Sequence, residues 1–486
     1  MQTHPSVTAP IKATHRLSLL LVKVPCYSDC ITPPLGLGYL AASVMDIADV
    51  QVVDAVRDCI NPKRFAEIVH KRNPDVIGFS VVTTAAKRAM EFMTAARQAC
   101  PSSILLAGGP HPTVLPEHML RKAADCLDYI ICGEAEVSLR KLLMIFNDSR
   151  ADTLLDRHKI AGEVPGLATI FRDDFIRSAP DISSNIDQHG IPAWHLMPPS
   201  SYPHAPHGSF ARKFPVAPII TSRGCAYSCG FCSIPKLSGR AMRYRSPELI
   251  AEEIATLRDK FEVRELQIID DNFTLSKQHA LAVCDAIITK NLIMPWSCPN
   301  GVRVDSLDDE ILRAMKASGC YSVSFGIESG SPMVLKRMNK QLSLDIVISR
   351  VEAAVSLGLE ANAFFILGYP GESQSDAIQT LRLAKSLPLT RANFALFTPM
   401  PGTPIFDSID TASRDDIIGG GSYFGHTRYV SPMYTAQTLK GMQRKCIFSF
   451  YARRVQAWRL LKSIRSPSMI FFIIRRAIFW LWGIRA

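Results

Sequence analysis

Short apolar runs recur between stretches of helical periodicity over the first third of the chain, at Leu17–Val24, Val50–Val53, Val76–Val82, Ile104–Ala107 and Tyr129–Cys132. Strands that read as continuous apolar runs are buried on both faces, and the alternating helices supply the covering layers, so the pattern predicts a parallel α/β sheet. Ligands of such sheets bind beyond the carboxyl ends of the strands. Those ends carry Ser80 with Thr83, Gly108-Gly109-Pro110-His111 and Gly133-Glu134. Gly108 and Gly109 let a ligand approach the backbone closely, and His111 either meets that ligand or holds the loop by hydrogen bonding.

A second alternation begins after an interval of different character. Leu167–Phe171 and Phe175–Arg177 flank Arg172-Asp173-Asp174 as a small hairpin. Pro192, Pro198, Pro199, Pro203, Pro206 and Pro215 then punctuate a polar stretch that suits neither helix nor central strand and reads as a linker. Beyond it, apolar runs at Pro218–Ile220, Leu266–Ile269, Trp296–Pro299, Ser322–Ile327, Ala361–Leu367 and Asn393–Phe397 alternate with helices, the first of which is opened by Ser246 and Pro247. These repeats predict a partial (β/α)6 barrel whose site lies at the strand carboxyl ends, where Asp270, Asp271, Asn272, Arg303, Glu328 and Tyr369 stand. The expected fold is α/β: a Rossmann-like, flavodoxin-like domain over 15–145, hairpin and linker over 146–210, the barrel over 211–420, and a helical basic tail over 421–486.

Composition narrows the class. A chain of 486 residues exceeds what one core organises, and 47% apolar with 20% charged residues excludes bulk disorder. The thirteen cysteines form no even framework and the opening Met1–Ala13 is polar, which points to a reducing cytoplasm. The formal charge of +11 belongs to the tail, since 444–486 holds ten Lys or Arg and no Asp or Glu. There two apolar runs, 469–474 and 477–482, flank Arg475-Arg476. A spanning helix wants roughly 20 uninterrupted apolar residues. The tail therefore reads as a basic amphipathic helix on the inner face of an anionic membrane, with Trp480 and Trp482 at headgroup depth, or as a terminal helix packed on protein. No nucleic-acid reader motif accompanies it.

The chemistry is concentrated in Gly224-Cys225-Ala226-Tyr227-Ser228-Cys229-Gly230-Phe231-Cys232. The CxxxCxxC spacing offers three thiolates from one loop and leaves a fourth metal corner open, which suits a cuboidal iron–sulfur cluster with one reactive iron. A structural zinc site wants four closed ligands, and no second close pair lies nearby. Three buried free thiols are the alternative, but the glycines and the polar Ser222, Arg223 and Ser228 describe a loop.

Cys225, Cys229 and Cys232, with Phe231 before the last, resemble the signature of the radical S-adenosylmethionine superfamily. Pro33–Ala41, Asp75–Ser80, Gly108–Thr113 and Cys132–Glu136 resemble the cobalamin-binding domain found ahead of such barrels, here without the DxHxxG motif that supplies a cobalt-ligating histidine. The resemblance implies a [4Fe-4S] cluster on the three cysteines, S-adenosyl-L-methionine on its open iron, and cobalamin held near Ser80, Thr83, Gly108, Gly109, His111, Gly133 and Glu134 without protein imidazole on cobalt. It further implies that Asp270, Asp271 and Asn272 meet the methionine amino end, that Glu328 meets the ribose, that Arg303 meets the carboxylate or pairs with Asp305 or Glu328, and that Tyr369 and Tyr227 stand near substrate. The implied activity is methylation of an unactivated carbon, with an external flavodoxin or ferredoxin as electron donor, and the basic tail points to a hydrophobic, membrane-associated small molecule as substrate. Radical cyclisation or rearrangement, as in the anaerobic tetrapyrrole cyclase, and a non-catalytic cobalamin-binding regulator are the alternatives. Methylthio transfer to RNA lacks its usual accompanying domains.

Overall fold

The computed structural model describes residues 16–26, 31–148, 157–203, 210–418 and 429–464, together with Ile470 and Ile474. In the first sheet, β1 (Leu17–Lys23), β2 (Ala48–Asp54), β3 (Val76–Ser80), β4 (Ile104–Gly108) and β5 (Tyr129–Ile131) are all parallel, in the order β2-β1-β3-β4-β5. The predicted hairpin, β6 (Leu167–Phe171) and β7 (Asp174–Arg177), continues this sheet antiparallel beyond β5, so it is an edge of the first unit and not a free connector. Alternate strand residues face opposite layers. Leu20, Val22, Ile77 and Phe79 pack against Phe65 and Phe92, whereas Leu19 and Leu21 pack against Leu37, Leu139 and Leu142.

The second sheet contains β8 (Val216–Ile219), followed by the two-residue strands β9 (Ser222–Arg223) and β10 (Arg243–Tyr244), which pair only with each other and clasp the cysteine loop. Then come β11 (Glu265–Ile268), β12 (Trp296–Val302), β13 (Cys320–Glu328), β14 (Glu360–Leu367) and β15 (Arg391–Leu396). β8 and β11 to β15 are parallel neighbours in chain order, the open barrel that the repeats predict, with Phe365 stacked on Phe394 at 5.2 Å in its core. An open barrel exposes an edge, and edges need cover. The helix Ala436–Tyr451 covers β15: Gln443 Nε2 donates to the Phe394 carbonyl at 2.7 Å and Tyr451 Oη to that of Ala392 at 3.0 Å.

The proline-rich stretch is packing material as well as connection. Trp194 and Met197 are fully buried between Leu35 and Tyr39 of the first unit and Ile250, Ile254 and Leu257 of the barrel. Gly38 lets Met197 pack closely, since a Cβ there would stand 2.0 Å from Met197 Cε and displace the end of that side chain. Trp194 Nε1 donates to Glu253 at 3.1 Å, and Glu253 pairs with Arg245 at 2.5 Å, both side chains being 2% exposed or less. No helix among the described residues is long and apolar enough to cross a membrane. The runs around Arg475, Arg476, Trp480 and Trp482 lie outside the described residues, except the exposed Ile470 and Ile474.

Removing one partner of a buried pair strands the other charge, at a cost of about 3–5 kcal/mol. Glu253→Ala is expected to lower the urea midpoint accordingly, and Glu253→Gln, which keeps an acceptor for Trp194 and Arg245, to lower it less.

Candidate functional site

The cysteine loop runs from β9 to the short helix Ile234–Leu237 and is held mostly by backbone bonds. Gly224 has φ +98°, and a Cβ there would meet the Ala241 carbonyl at 2.5 Å, so only glycine makes this turn. Cys225 N donates to Gly239 O at 3.3 Å, Cys232 N to Cys229 O at 3.1 Å, and Gly230 N to Met338 O at 2.8 Å. Asn339 Nδ2 donates to Ser228 O at 3.0 Å. The brace Met338-Asn339-Lys340-Gln341 thus grips the loop, with Asn339 and Gln341 in left-handed conformation.

The three thiols fit an iron–sulfur cube. All are free and half-buried. Burial pushes Cys232 up to about 12 and raises Cys225, and in each the charge of neighbouring thiolates adds to the effect. A cationic metal core favours the thiolate form of its cysteine ligands and offsets such a rise. Among the described residues no three His, Cys, Asp or Glu side chains converge on a single metal-ion position. A cube places each thiolate on a different iron, so it does not need three ligands on one metal position.

Around the loop, the expected site residues fall into two groups. Glu328 ends β13 with φ +68° and pairs with Lys340 Nζ at 3.1 Å, both side chains buried. Lys340 Nζ also lies 5.7 Å from the Phe231 ring centroid. Tyr369 is buried against Phe397, and its hydroxyl stands 2.8 Å from where a Cβ on Gly230 would be. Asp271 is half-buried beside Gly224 and is pushed up to about 6, by burial first and by Asp270 second. By contrast, Asp270 is turned into the scaffold, accepting from Thr221 N at 2.7 Å and Ser222 Oγ at 2.6 Å. Asn272 accepts from Arg303 N at 3.3 Å, which leaves Asp271 as the member of that trio facing the cysteines. Arg303 pairs with Asp305 at 2.7 Å, reaches the Lys340 carbonyl and covers the Tyr227 ring at 3.7 Å, so its guanidinium is committed to the loop and does not stand free for a carboxylate. Tyr227 is its stacking partner. Lys340 and the brace carry no periodic or motif signal that sequence reasoning could have used.

On the first sheet, Ser80, Thr83, Gly108, Gly109, His111 and Gly133 gather at the carboxyl edge. Val81 N donates to Gly108 O at 2.9 Å, Thr113 Oγ1 to Gly109 O at 2.8 Å, and Gly133 N to Thr113 Oγ1 at 2.9 Å. Gly109 and Gly133 have φ +97° and +81°. His111 is buried, its Nδ1 has no partner among the described residues, and burial lowers it to about 4, so it is neutral. An unpartnered polar atom at this edge fits a polar cofactor laid across it. Glu134 differs from expectation: Arg243 holds it at 2.6 and 2.7 Å and Arg223 at 3.2 Å, so its carboxylate joins the two units and is not free for a cofactor. Glu136 accepts from Arg223 at 2.7 Å. The helix Pro110–Val114 packs against Ile234–Leu237, which places the carboxyl edge of the first sheet beside the cysteine loop.

This geometry agrees with what the chain resembles. The B12 binding domain family matches residues 28–143 and the Radical SAM superfamily matches 219–384. An uncharacterized methyltransferase of Pyrococcus horikoshii is 30% identical over 452 residues, 92% of each chain. The anaerobic magnesium-protoporphyrin IX monomethyl ester cyclase of Cereibacter sphaeroides is 26% identical over 84% of this chain and 64% of its own. The radical S-adenosylmethionine methyltransferase TsrM from Kitasatospora setae shares the fold, with a TM-score of 0.69 at 18% identity over 89% of this chain and 91% of its own. A B12 binding domain joined to a radical S-adenosylmethionine barrel is the class these features define. The chain belongs to the cobalamin-dependent radical S-adenosylmethionine enzymes of methyltransferase-like type, and its cofactors are the [4Fe-4S] cluster, S-adenosyl-L-methionine and cobalamin.

The loop that carries Tyr369 is held by a buried acid. Glu372 is fully buried, accepts from Gly368 N through one oxygen, and has no partner for the other among the described residues. Burial pushes it up to about 8 from 4.5, so the folded chain keeps a proton that the unfolded chain releases, and stability falls as pH rises through that window before levelling above it. Thermal midpoints measured across this range are expected to show that fall, and Glu372→Gln to flatten it.

Proposed function

We propose that this enzyme methylates an unactivated carbon of a hydrophobic small molecule bound between the two carboxyl edges. The observation that supports this reading is the packing of Pro110–Val114 on Ile234–Leu237, which sets the carboxyl edge of the first sheet beside the cysteine loop. When bound, the cluster with S-adenosyl-L-methionine supplies the hydrogen-abstracting radical and cobalamin supplies the methyl group. The chain's own residues position and enclose. Cys225, Cys229 and Cys232 ligate iron; Asp271 accepts hydrogen bonds at the mouth of the loop; Glu328, oriented by Lys340, offers a carboxylate to ribose hydroxyls. Tyr369, fixed between Phe397 and Gly230, closes the barrel side of the space and helps exclude water. Gly108, Gly109 and Gly133 give backbone access to cobalamin, with Ser80, Thr83 and His111 as polar partners. An external flavodoxin- or ferredoxin-type protein delivers the electron. The likeness to the cyclase favours one rival, radical cyclisation without methyl transfer. Anaerobic turnover with methyl-labelled S-adenosyl-L-methionine separates them: label in the product is expected, and deoxyadenosine formed with an unlabelled product would favour the rival.

A cytoplasmic enzyme that docks on the inner membrane face fits such a substrate. In the helix Arg454–Ser463, Val455, Trp458 and Leu461 are 60%, 61% and 60% exposed, beside Arg454 and Lys462. A basic helix with an apolar stripe lies in the headgroup region of anionic bilayers. Replacing Trp458 and Leu461 together by serine is expected to lower cosedimentation with phosphatidylglycerol vesicles several-fold; unchanged binding would remove the membrane reading.

A further inference from the structure

We infer that Arg303 tunes the iron–sulfur cluster: its guanidinium donates a hydrogen bond to the Cys229 sulfur and raises the reduction potential of the cluster. Arg303 is 7% exposed. Nε donates to both oxygens of Asp305, at 2.7 and 3.0 Å. Nη2 donates to the carbonyls of Lys340 and, at 3.4 Å, Gln341. The Tyr227 ring lies 3.7 Å from the guanidinium carbon and covers its face. These contacts leave Nη1 directed at Cys229 Sγ, 3.9 Å away. An arginine fixed on three sides has little freedom to turn elsewhere, because its planar fork holds all its donors in one geometry.

The sulfur contact acts on the cluster through two effects of the same sign. Ligated to iron, Cys229 is a thiolate and a stronger acceptor than a thiol, so the bond is charge-assisted. A donor to a ligand sulfur withdraws electron density from it, and a buried cation favours the added electron; hydrogen bonds to the sulfurs and net local charge are among the determinants of cluster potential. Asp305 opposes the charge, but its side chain is 24% exposed against 6% for that of Arg303, so solvent screens the carboxylate more than the guanidinium. Of the other charged groups near the loop, Lys340 pairs with Glu328, Arg223 and Arg243 pair with Glu134 and Glu136, and Asp271 is half-buried, and among the described residues none of these donates to a sulfur of the cysteine triad. Arg303 is therefore a tuning residue that also braces the loop, and potential is the property that separates tuning from bracing.

The test uses the anaerobically reconstituted full-length chain as wild type, Arg303→Met and Arg303→Gln, titrated against potential with the reduced-cluster EPR signal as readout. Arg303→Gln keeps an amide donor for the Lys340 carbonyl and so protects the brace if the methionine variant does not fold. The expected result is a shift to more negative potential in the cluster-bearing variants, with iron content and visible absorption at wild-type level. A cluster-bearing variant that titrates at the wild-type potential would overturn the assignment. So would loss of the cluster from both variants with the fold intact, which would make Arg303 an assembly residue. The inference rests on the family's cluster and involves no turnover, so its failure is distinct from failure of the methylation reading.

Discussion

Two arginines on the paired strands that clasp the cysteine loop reach across to two glutamates just beyond β5, and the relation between the halves of the site depends on that contact. Arg223 lies two residues before Cys225, and Arg243 lies opposite it on β10. Their partners, Glu134 and Glu136, follow Gly133 at the carboxyl edge of the first sheet. All four side chains are 14% exposed or less, so the cost of desolvating them offsets much of their attraction. Their contribution is registry: a slipped arrangement would leave buried charges unpaired, whereas an apolar contact would tolerate the slip. Tyr39 lies beneath Arg223 and Arg245, at 5.1 and 5.8 Å from the ring centroid, and carries the same restraint to the Trp194–Glu253 contact.

A second restraint acts from the opposite side of the loop. The brace at Met338–Gln341 fixes Gly230 and Ser228, orients Lys340 toward Glu328, and supplies carbonyls that hold Arg303. The loop is thereby clasped on its β9 side by the first unit and on its inner side by the barrel. Fixed thiolates matter for a cluster whose open iron must keep one orientation toward both its ligand and a second cofactor.

Legibility followed range of interaction. The strands of both sheets could be read because burial on both faces writes itself as continuous apolar runs, and the carboxyl edges because glycine and short polar residues collect there. The cysteine loop could be read because its ligands lie within eight residues of one another. The roles of Glu134, Arg303 and Asp270 could not. A carboxylate after a strand looks alike whether it meets a cofactor or an arginine 109 residues later, and nothing near Arg303 announces a sulfur 74 residues earlier. Asp270 and Asp271 are adjacent yet face opposite ways, because successive residues leaving a strand alternate. The proline-rich linker hid a buried tryptophan, since composition reports that a segment is irregular and not whether it is packed.

Under the proposed function, cobalamin and the cluster face each other across one substrate space. Both are paramagnetic in accessible states, cob(II)alamin and the reduced cluster, so dipolar coupling between their electron spins reports the juxtaposition directly. In the doubly loaded wild-type chain, EPR is predicted to show coupled spectra, weakened when Arg223 and Arg243 are both replaced by glutamine. Two independent, uncoupled signals from a chain loaded with both cofactors would contradict the account.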